Sequence, residues 1–483
     1  MKKSLIILIL LTAVFLGGMG FTATTIFGSG PKVEITQCDL TGDPKMLEGL
    51  NIEFHSEALD HLHWNIDYTP HDQLKTKFHY GTQERYTAKQ SRLLYESASF
   101  NTSVVGNDLQ IDPEESPRDR LFFEVASHTA PGDVHTEDVL LSDFFDFYPF
   151  CANLDFVLPD GRNTLLYDWL EGSVHMSGTA NLTSIEDEQI PRFLNQFMDA
   201  FRFSTDDDHK VKVTVYRNSE GAYEEFSTEN LGDHPNIHTF SADTGDWVYF
   251  IIEYTSSMPF DPDVYAHTPN GYGVYRLPLK ALDLLTIEDV EFVMPLDLSV
   301  QIGTLCTTED QEQILLSSLD NGVPTLWVLD AKTGALLQRL ETNLTADWEH
   351  EDYFSTPFIQ DYDGFVVMSW YDDRLVLEQL ADGSWRSRFH IPPVDIPELQ
   401  FLNRWNDIDM TFDGQRLAVI YTGSRSNEQY PGNSFTLLIY DESGLTYSGY
   451  FYNSLDAGSD EGFDWRGIVK CNARGPHYIH WQV

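Results

Sequence analysis

Short strand-like segments that end in tight turns recur along most of this 483-residue chain, and they constrain its fold more than any other feature. Examples are Thr325–Leu340, Val366–Ile391 and Phe435–Phe451, whose strand-like parts are rich in β-branched and aromatic residues. Their turns contain Asp, which can bond its own backbone, and most contain Gly, which adopts a positive φ without strain. Helical periodicity is almost confined to Gln189–Phe203. The pattern therefore predicts antiparallel hairpins.

Hairpins that repeat at intervals of roughly 40–50 residues are typical of β-propellers. No linker-like tract divides the chain after its first strands, so we expect residues 33–483 to form one all-β domain. The expected fold is a single β-propeller of six to eight four-stranded blades. We expect the N-terminal strands and the final strand, Tyr478–Val483, to share one blade and close the ring. A β-sandwich followed by a smaller propeller is the alternative.

An apolar segment near the N-terminus predicts a membrane anchor. Leu5–Phe27 carries no charge and is apolar apart from Thr and Gly. The segment is long enough to cross a bilayer core, which requires about 20 apolar residues in a helix. Lys2 and Lys3 precede it, and this arrangement favours a cytoplasmic N-terminus. We therefore expect a single-pass protein of the cell membrane with the bulk of the chain outside. The expected segments are a cytoplasmic tip (1–3), a transmembrane signal anchor (4–27) and a short linker (28–32). A cleaved signal peptide is the rival interpretation, and it gives the same compartment.

The composition excludes some classes of function. Acidic residues outnumber basic ones 76 to 30, for a net charge of −46, and such a surface repels the phosphates of nucleic acids. Hydrophobic residues make up 42% of the chain, which excludes an intrinsically disordered protein. We expect membrane contact through the anchor, and a cell-wall carbohydrate or a surface protein as the partner.

The four cysteines are Cys38, Cys151, Cys306 and Cys471, and they are too few for a disulfide scaffold. No two of them form a C-x-x-C pair, so neither a zinc ribbon nor a thioredoxin-type site is indicated. One or two disulfides and buried free thiols are equally compatible with this spacing.

Several segments resemble those of uncharacterised, membrane-anchored extracytoplasmic proteins of low-GC Gram-positive bacteria. Besides the anchor, the resemblance rests on Gly42–Leu50, Leu62–Tyr68 and Tyr272–Pro278. Leu326–Leu340 in addition resembles the outer hairpin of a quinoprotein-type propeller blade. The resemblance implies a degenerate propeller repeat and no known activity. It implies no quinone cofactor, because the Trp that ends such repeats is replaced within Leu337–Leu340.

One acidic loop is a weak candidate for a calcium site. It contains Asp456, Asp460, Glu461 and Asp464, which offer the hard oxygen ligands that Ca²⁺ prefers. The loop lacks the D-x-D-x-D-G pattern with its distal Glu, so calcium is a possibility and no other cofactor is expected. A solvated acidic loop explains the same residues.

Two further patterns are weaker. A strand face carries His61 and His63, with His79 expected across the hairpin, and such imidazoles can bind Zn²⁺ or Cu²⁺. Close acidic pairs such as Asp407 and Asp409 have the residue types of a glycoside hydrolase, but 76 acids produce such pairs by number alone. We predict no catalytic residue.

Two functions follow from these observations. The first is a non-catalytic binding, scaffold or sensory module at the cell surface, favoured because the sequence contains no nucleophile elbow and no phosphate-binding loop. The alternative is a carbohydrate-active hydrolase or lyase that uses carboxylates. Whether the chain is an enzyme stays open at this point, with the balance against it.

Overall fold

The computed structural model of the chain describes residues 17–18, 34–58, 62–80, 92–97, 102–114, 117–148, 150–158, 161–168, 173–178, 193, 196–197, 199–205, 207–231, 236–255, 262–280, 284–345, 356–362, 364–371, 373–393, 408–422, 435–453 and 471–481. Within these ranges the chain forms 29 β-strands and an α-helix of three turns, α1 (Pro117–Ser127). Short 3₁₀ helices cover Pro44–Leu47, Leu141–Asp143, Pro262–Tyr265 and Ile287–Asp289.

The strands of the first half of the chain are β1 (Ile35–Gly42), β2 (Leu50–Ala58), β3 (Leu62–Thr69), β4 (Gln73–Tyr80), β5 (Arg92–Ser97), β6 (Thr102–Leu109), β7 (Val134–Leu140), β8 (Phe150–Leu158), β9 (Gly161–Asp168), β10 (Ser173–Gly178), β11 (Lys210–Arg217) and β12 (Tyr223–Leu231). The later strands are β13 (Asn236–Asp243), β14 (Trp247–Thr255), β15 (Gly273–Pro278), β16 (Glu291–Pro295), β17 (Val300–Thr307), β18 (Gln313–Asp320), β19 (Val323–Asp330), β20 (Leu336–Glu341), β21 (Phe358–Tyr362), β22 (Phe365–Trp370), β23 (Asp373–Gln379), β24 (Trp385–Ile391), β25 (Ile408–Phe412), β26 (Leu417–Thr422), β27 (Phe435–Asp441), β28 (Gly444–Asn453) and β29 (Cys471–Trp481).

The described strands form seven sheets, six of four strands and one of five. Their strand orders are β29-β2-β3-β4, β10-β9-β8-β5, β6-β12-β11-β7, β13-β14-β15-β16, β17-β18-β19-β20, β21-β22-β23-β24 and β1-β28-β27-β26-β25. The predicted all-β class of four-stranded, propeller-type sheets is confirmed. The predicted extent of a single domain, residues 33–483, stays a prediction.

β1 and β29, the strands nearest the two ends of the described chain, each join a sheet whose other strands come from the opposite end of the sequence. β29 pairs antiparallel with β2, with Ile479 opposite Ile52, so the last strand completes the first sheet. This confirms the predicted sharing of a sheet by the N-terminal and final strands. β1 pairs antiparallel with β28 and adds a fifth strand to the last sheet.

One sheet is made of two insertions. β5 and β8 are neighbours in one sheet. Between them in sequence, the chain forms β6, α1 and β7, and β6 and β7 belong to a different sheet. β11 and β12, which come later, pair with β7 and β6. We call β6-β12-β11-β7 the inserted sheet. The alternation of Val211, Val213 and Val215 before the turn at Asn218 is a local sequence signal for β11, but no local signal selects the partners of β11 and β12.

The chain divides into two compact units. Unit 1 comprises Met1–Tyr86, Gly364–Glu378 and Arg386–Val483, and unit 2 comprises Thr87–Asp363 and Gln379–Trp385. Each unit has its own hydrophobic core. In unit 2, Phe193, Phe197 and Phe201, which are spaced four residues apart within Gln189–Phe203, are buried in the core.

The predicted anchor, residues 4–27, lies outside the described residues except for Gly17 and Gly18. In the part of the chain that the structure describes, no helix has the length and apolar character needed to cross a membrane.

Candidate functional site

The residues singled out from the sequence are largely beyond what the structure describes. The calcium candidates Asp456, Asp460, Glu461 and Asp464 lie outside the described residues, as do His61 and Asp407. The strand register sets His63 opposite His79, as expected. Among the described cysteine side chains, Cys38 and Cys306 are free thiols.

Asp409, the second member of the acidic pair, has a structural role in unit 1. Its Oδ2 accepts a hydrogen bond from the backbone N–H of Ile479 (3.1 Å), and its Oδ1 accepts one from the N–H of Met410 (2.9 Å). Burial raises the pKa of this carboxyl group despite these bonds. Asp409 therefore positions β29 beside β25.

Unit 2 contains a polar cleft of 830 Å³, which was not predicted. Turns from four hairpins line it: the turn between β13 and β14, the turn between β17 and β18, the turn between β19 and β20, and the turn between β23 and β24. A binding site of this size accommodates a small molecule or a few residues of a polymer.

Aspartates shape all four turns in the same way, by accepting a bond from the backbone N–H two residues later. Asp310 Oδ1 accepts from the N–H of Glu312 (3.0 Å), and Asp382 Oδ1 accepts from the N–H of Ser384 (3.0 Å). Asp330 Oδ1 accepts from the N–H of Lys332 (3.1 Å). The fourth turn uses Asp243, whose Oδ1 accepts from the N–H of Gly245 (2.6 Å). Because these bonds are local, the short motif of each turn fixes its backbone.

Gln313, the first residue of β18, lines the cleft and connects the hairpins through its side chain. Its Nε2 donates to the carbonyl of Gly383 (2.8 Å), and its Oε1 accepts from Trp385 Nε1 (2.8 Å) and Gln379 Nε2 (3.2 Å). The side chain of Gln338 bonds both the N–H and the C=O of Trp385, at 2.7 and 2.8 Å. These hydrogen bonds, of which the one between Trp385 and Gln313 is buried, hold the turn between β23 and β24 against β18 and β20.

Arg276 holds the opposite wall. Its guanidinium lies over the ring of Trp247, 4.1 Å from the ring centre, and bonds Glu291 Oε2 at 2.6 and 2.8 Å. Arg276 Nη1 also donates to the carbonyl of Lys332 (2.9 Å). The hydroxyl of Tyr249 donates to the carbonyl of Ala331 (2.9 Å). The turn between β19 and β20 is thus anchored to β14 and β15.

The charge of the cleft is mainly negative. Lys332 brings one ammonium group, whereas the carboxylates along the cleft are Asp246, Asp310, Glu312, Asp330 and Asp382. The hydroxyl of Thr333 donates to Asp330 and lowers the pKa of that carboxyl group, and the hydroxyl of Ser384 does the same for Asp382. Both groups are therefore ionised at neutral pH.

Some turns that line this cleft can be predicted from the sequence, but their assembly into one cleft cannot. The hairpins predicted within Thr325–Leu340 and Val366–Ile391 contain two of these turns, Asp330–Gly334 and Ala381–Ser384. Which turns share one edge of unit 2 depends on strand pairing between distant segments, and no local motif encodes that pairing. A second group outside the cleft, His128, His135 and Glu137, has the donor atoms of a metal site.

No protein-family model matches the chain, and no curated protein matches it in sequence. Solved structures are similar only weakly. The β-propeller domain of the Trilobed protease from Pyrococcus furiosus has a TM-score of 0.24 and 12% identity, covering 50% of this chain and 68% of that one. TolB from Acinetobacter baumannii has a TM-score of 0.22 and 12% identity, covering 68% of this chain and 82% of that one. Similarities with TM-scores this low carry no information about what the chain does.

Proposed function

We propose that the chain is a non-catalytic binding module whose cleft in unit 2 takes a positively charged segment of a partner at the cell surface. The observation that carries the proposal is the 830 Å³ cleft, with its five carboxylates and one lysine. Carboxylates on preorganised turns attract ammonium and guanidinium groups without reorganising, which favours Lys or Arg side chains as ligands.

The rigidity of the lining supports binding. Gln313 and Gln338 hold one wall through partly buried hydrogen bonds, and Arg276 holds the other through Glu291 and Trp247. A ligand that enters such a site loses its own freedom but orders little of the protein, which reduces the entropic cost of binding.

Two carboxyl groups of the cleft, those of Asp330 and Asp382, are suited to bind a cation and not to act as the acid of a glycoside hydrolase. A hydrolase needs one carboxyl group whose pKa is raised, so that it can donate a proton to the leaving group. Hydrogen bonds within the turns instead lower the pKa of Asp330 and of Asp382. Both groups are suited to remain charged and to pair with a cation.

The location belongs to the same proposal. The apolar segment Leu5–Phe27 anchors the protein in the cell membrane, with the cleft outside the cell. The full-length chain should then fractionate with membranes and resist extraction by high salt, because insertion of a spanning helix into the bilayer is effectively irreversible. N-terminal sequencing that finds a new terminus between Gly20 and Gly30 would instead make the protein secreted.

Binding of a short oligolysine peptide to the full-length chain tests the proposed ligand. The variant with Asp246→Asn and Glu312→Gln should bind this peptide roughly threefold to tenfold more weakly, since each exposed ion pair contributes up to about 1 kcal/mol. The matched control, Glu114→Gln with Glu220→Gln, removes two exposed acids that do not line the cleft and should leave the affinity unchanged.

The proposal predicts that affinity falls with salt and that the double variant has a shallower salt dependence. Equal losses in both double variants would show that only the overall negative charge attracts the peptide, and would contradict a specific cleft. Tight binding of a neutral oligosaccharide, with no binding of oligolysine, would transfer the assignment to carbohydrate recognition.

A further inference from the structure

The end of α1 and the start of β7 meet at one edge of the inserted sheet in unit 2. α1 packs on the inserted sheet through Leu121, Phe122 and Val125, which are buried. The chain then turns through Gly132, whose φ of +85° suits glycine, and enters β7. The two elements therefore bring their polar residues together beside a packed core.

Three of these polar residues converge. His135 and Glu137 are two apart on β7 and so share one face of the strand, while His128 directly follows the last turn of α1. Glu137 Oε2 lies 3.1 Å from His128 Nδ1 and 3.4 Å from His135 Nε2. One donor atom from each residue lies within 4.8 Å of the others.

These distances suit a zinc ion. Bonds of about 2.0 Å in a tetrahedral site place neighbouring ligand atoms about 3.3 Å apart. The two nitrogen–oxygen separations lie on either side of that value. Two imidazoles and one carboxylate are a ligand set that Zn²⁺ accepts, with the fourth position left for water or another ligand. The three side chains are 50%, 38% and 40% exposed, in the order His128, His135 and Glu137, so an ion can reach them.

The loop that carries His128 is held in place independently of any ion. The N–H of Thr129 donates to the carbonyl of Ala126 (3.0 Å), and the N–H of Gly132 donates to the carbonyl of Arg217 (2.9 Å). Arg217 Nη1 donates to the carbonyl of Thr129 (3.2 Å). A preformed backbone lowers the entropy that metal binding must offset.

We propose that His128, His135 and Glu137 bind one Zn²⁺ ion, which links the C-terminal end of α1 to β7. The site lies outside the cleft and does not depend on the function proposed for it. The competing interpretation is that the two imidazoles only donate hydrogen bonds to Glu137.

The test is a Zn²⁺ titration of the full-length chain, stripped of metal with a chelator. Millimolar Mg²⁺ and Ca²⁺ are present throughout, because they occupy generic carboxylate sites and compete poorly for imidazole. The wild type should bind one equivalent, and bound Co²⁺ should show the absorption bands of tetrahedral coordination. His128→Gln and His135→Gln should each weaken Zn²⁺ binding by at least about 100-fold, more than the loss of an outer-shell partner costs.

The control variant is His267→Ala, which removes an exposed histidine of unit 2 that lies outside the group. It should keep the wild-type affinity for Zn²⁺. Thermal melting in chelator establishes that the His→Gln variants fold, and added Zn²⁺ should raise the melting temperature of the wild type but not of these variants. Absence of stoichiometric binding by the wild type, or Co²⁺ spectra without tetrahedral bands, overturns the proposal whether or not the variants fold. Equal affinity in the wild type and both His→Gln variants also overturns it.

Discussion

Glu253 is a buried carboxyl group between two sheets of unit 2, and 7% of the residue is exposed. Its Oε1 accepts from the N–H of Ile302 (3.0 Å) and from the hydroxyl of Tyr272 (3.4 Å). Burial raises its pKa to about 7, because these bonds do not fully replace the lost hydration of the charged form. The folded protein therefore holds this proton at pH values where the unfolded chain releases it.

The raised pKa predicts that Glu253 makes stability depend on pH. Below about pH 4.5 the carboxyl group of Glu253 is protonated in both the folded and the unfolded state, so it does not reduce the stability of the fold. As the pH rises to about 7, the folded state binds more protons than the unfolded state, so stability falls, by up to about 3 kcal/mol. Above pH 7 the loss is complete.

Glu253→Gln should remove this dependence, because the amide oxygen can still accept from Ile302 and carries no charge. Urea unfolding should show that the variant is more stable than the wild type at pH 8, with a smaller difference at pH 5. Glu220→Gln, on an exposed turn, is the control and should leave the stability at both pH values unchanged. A difference that does not vary with pH would contradict the buried-carboxyl account.

At the scale of elements, β17 and β21 approach each other unusually closely at Gly303. A Cβ atom there would lie 1.8 Å from the carbonyl oxygen of Pro357, and that oxygen already accepts a bond from the Ser317 hydroxyl (2.6 Å). The two nearest atoms, the carbonyl oxygen and carbon of Pro357, are backbone atoms, which cannot move aside cheaply. The contact therefore admits only glycine.

Gly303→Ala should destabilise unit 2 by about 3 kcal/mol or more, since the strands must separate to admit one methyl group. Gly322→Ala is the comparison: Gly322 has open space around it and a φ of +78°, so alanine should cost only about 1 kcal/mol. Denaturant unfolding of both variants measures the difference. Equal losses would mean that backbone conformation, rather than the close approach, determines the effect at Gly303.

Elements with local signals were predictable, and elements that depend on distant pairing were not. The hairpin of β19 and β20 is encoded by Asp330, which bonds the N–H groups of Lys332 and Thr333, and by Gly334. Within the inserted sheet, the hairpin of β11 and β12 has such a signal in Asn218, whose Oδ1 accepts from the N–H of Glu220. The pairing of β12 with β6 has none, because its register joins Thr102 to Thr228, which are distant in sequence. Strand propensity marks β6 and β12 as strands but does not select their partners.

At the scale of the whole molecule, strands from opposite ends of the sequence stabilise unit 1. Ile479 and Trp481 of β29 are buried in its core, and Trp481 Nε1 donates to the carbonyl of Thr411 (3.3 Å). β29 also covers the edge of β2. The final strand was predicted, as Tyr478–Val483 joined to the N-terminal strands, whereas the added strand β1 was not predicted.

Deleting residues 471–483 should disrupt unit 1, because β2 becomes an exposed edge strand and the core loses Ile479 and Trp481. We expect aggregation in size-exclusion chromatography, or loss of protection from hydrogen exchange in β2 and β3. The control, deletion of residues 482–483 alone, keeps the whole described strand Cys471–Trp481 and should behave as the wild type. A truncated chain that stays monodisperse, with β2 still protected, would show that β29 is dispensable.

The candidate sites were less predictable than the fold for the same reason. Asp382 and Asp330 were recognisable as turn residues, but their place in one cleft follows from the pairing of β18 with β19 and from the bonds of Gln313. His128 and His135 come together because α1 packs on the inserted sheet. A site whose residues come from distant segments can be recognised only when the three-dimensional position of those segments is known.

Hydrogen–deuterium exchange of the full-length chain, with and without oligolysine, tests the proposed cleft most directly. We predict that the peptide slows exchange in the turns that line the cleft, at residues 244–247, 310–313, 330–332 and 379–383, and leaves the inserted sheet unchanged. The variant with Asp246→Asn and Glu312→Gln should lose most of this protection. Protection spread evenly over acidic surfaces, or absent from these four turns while the peptide is bound, would contradict the account.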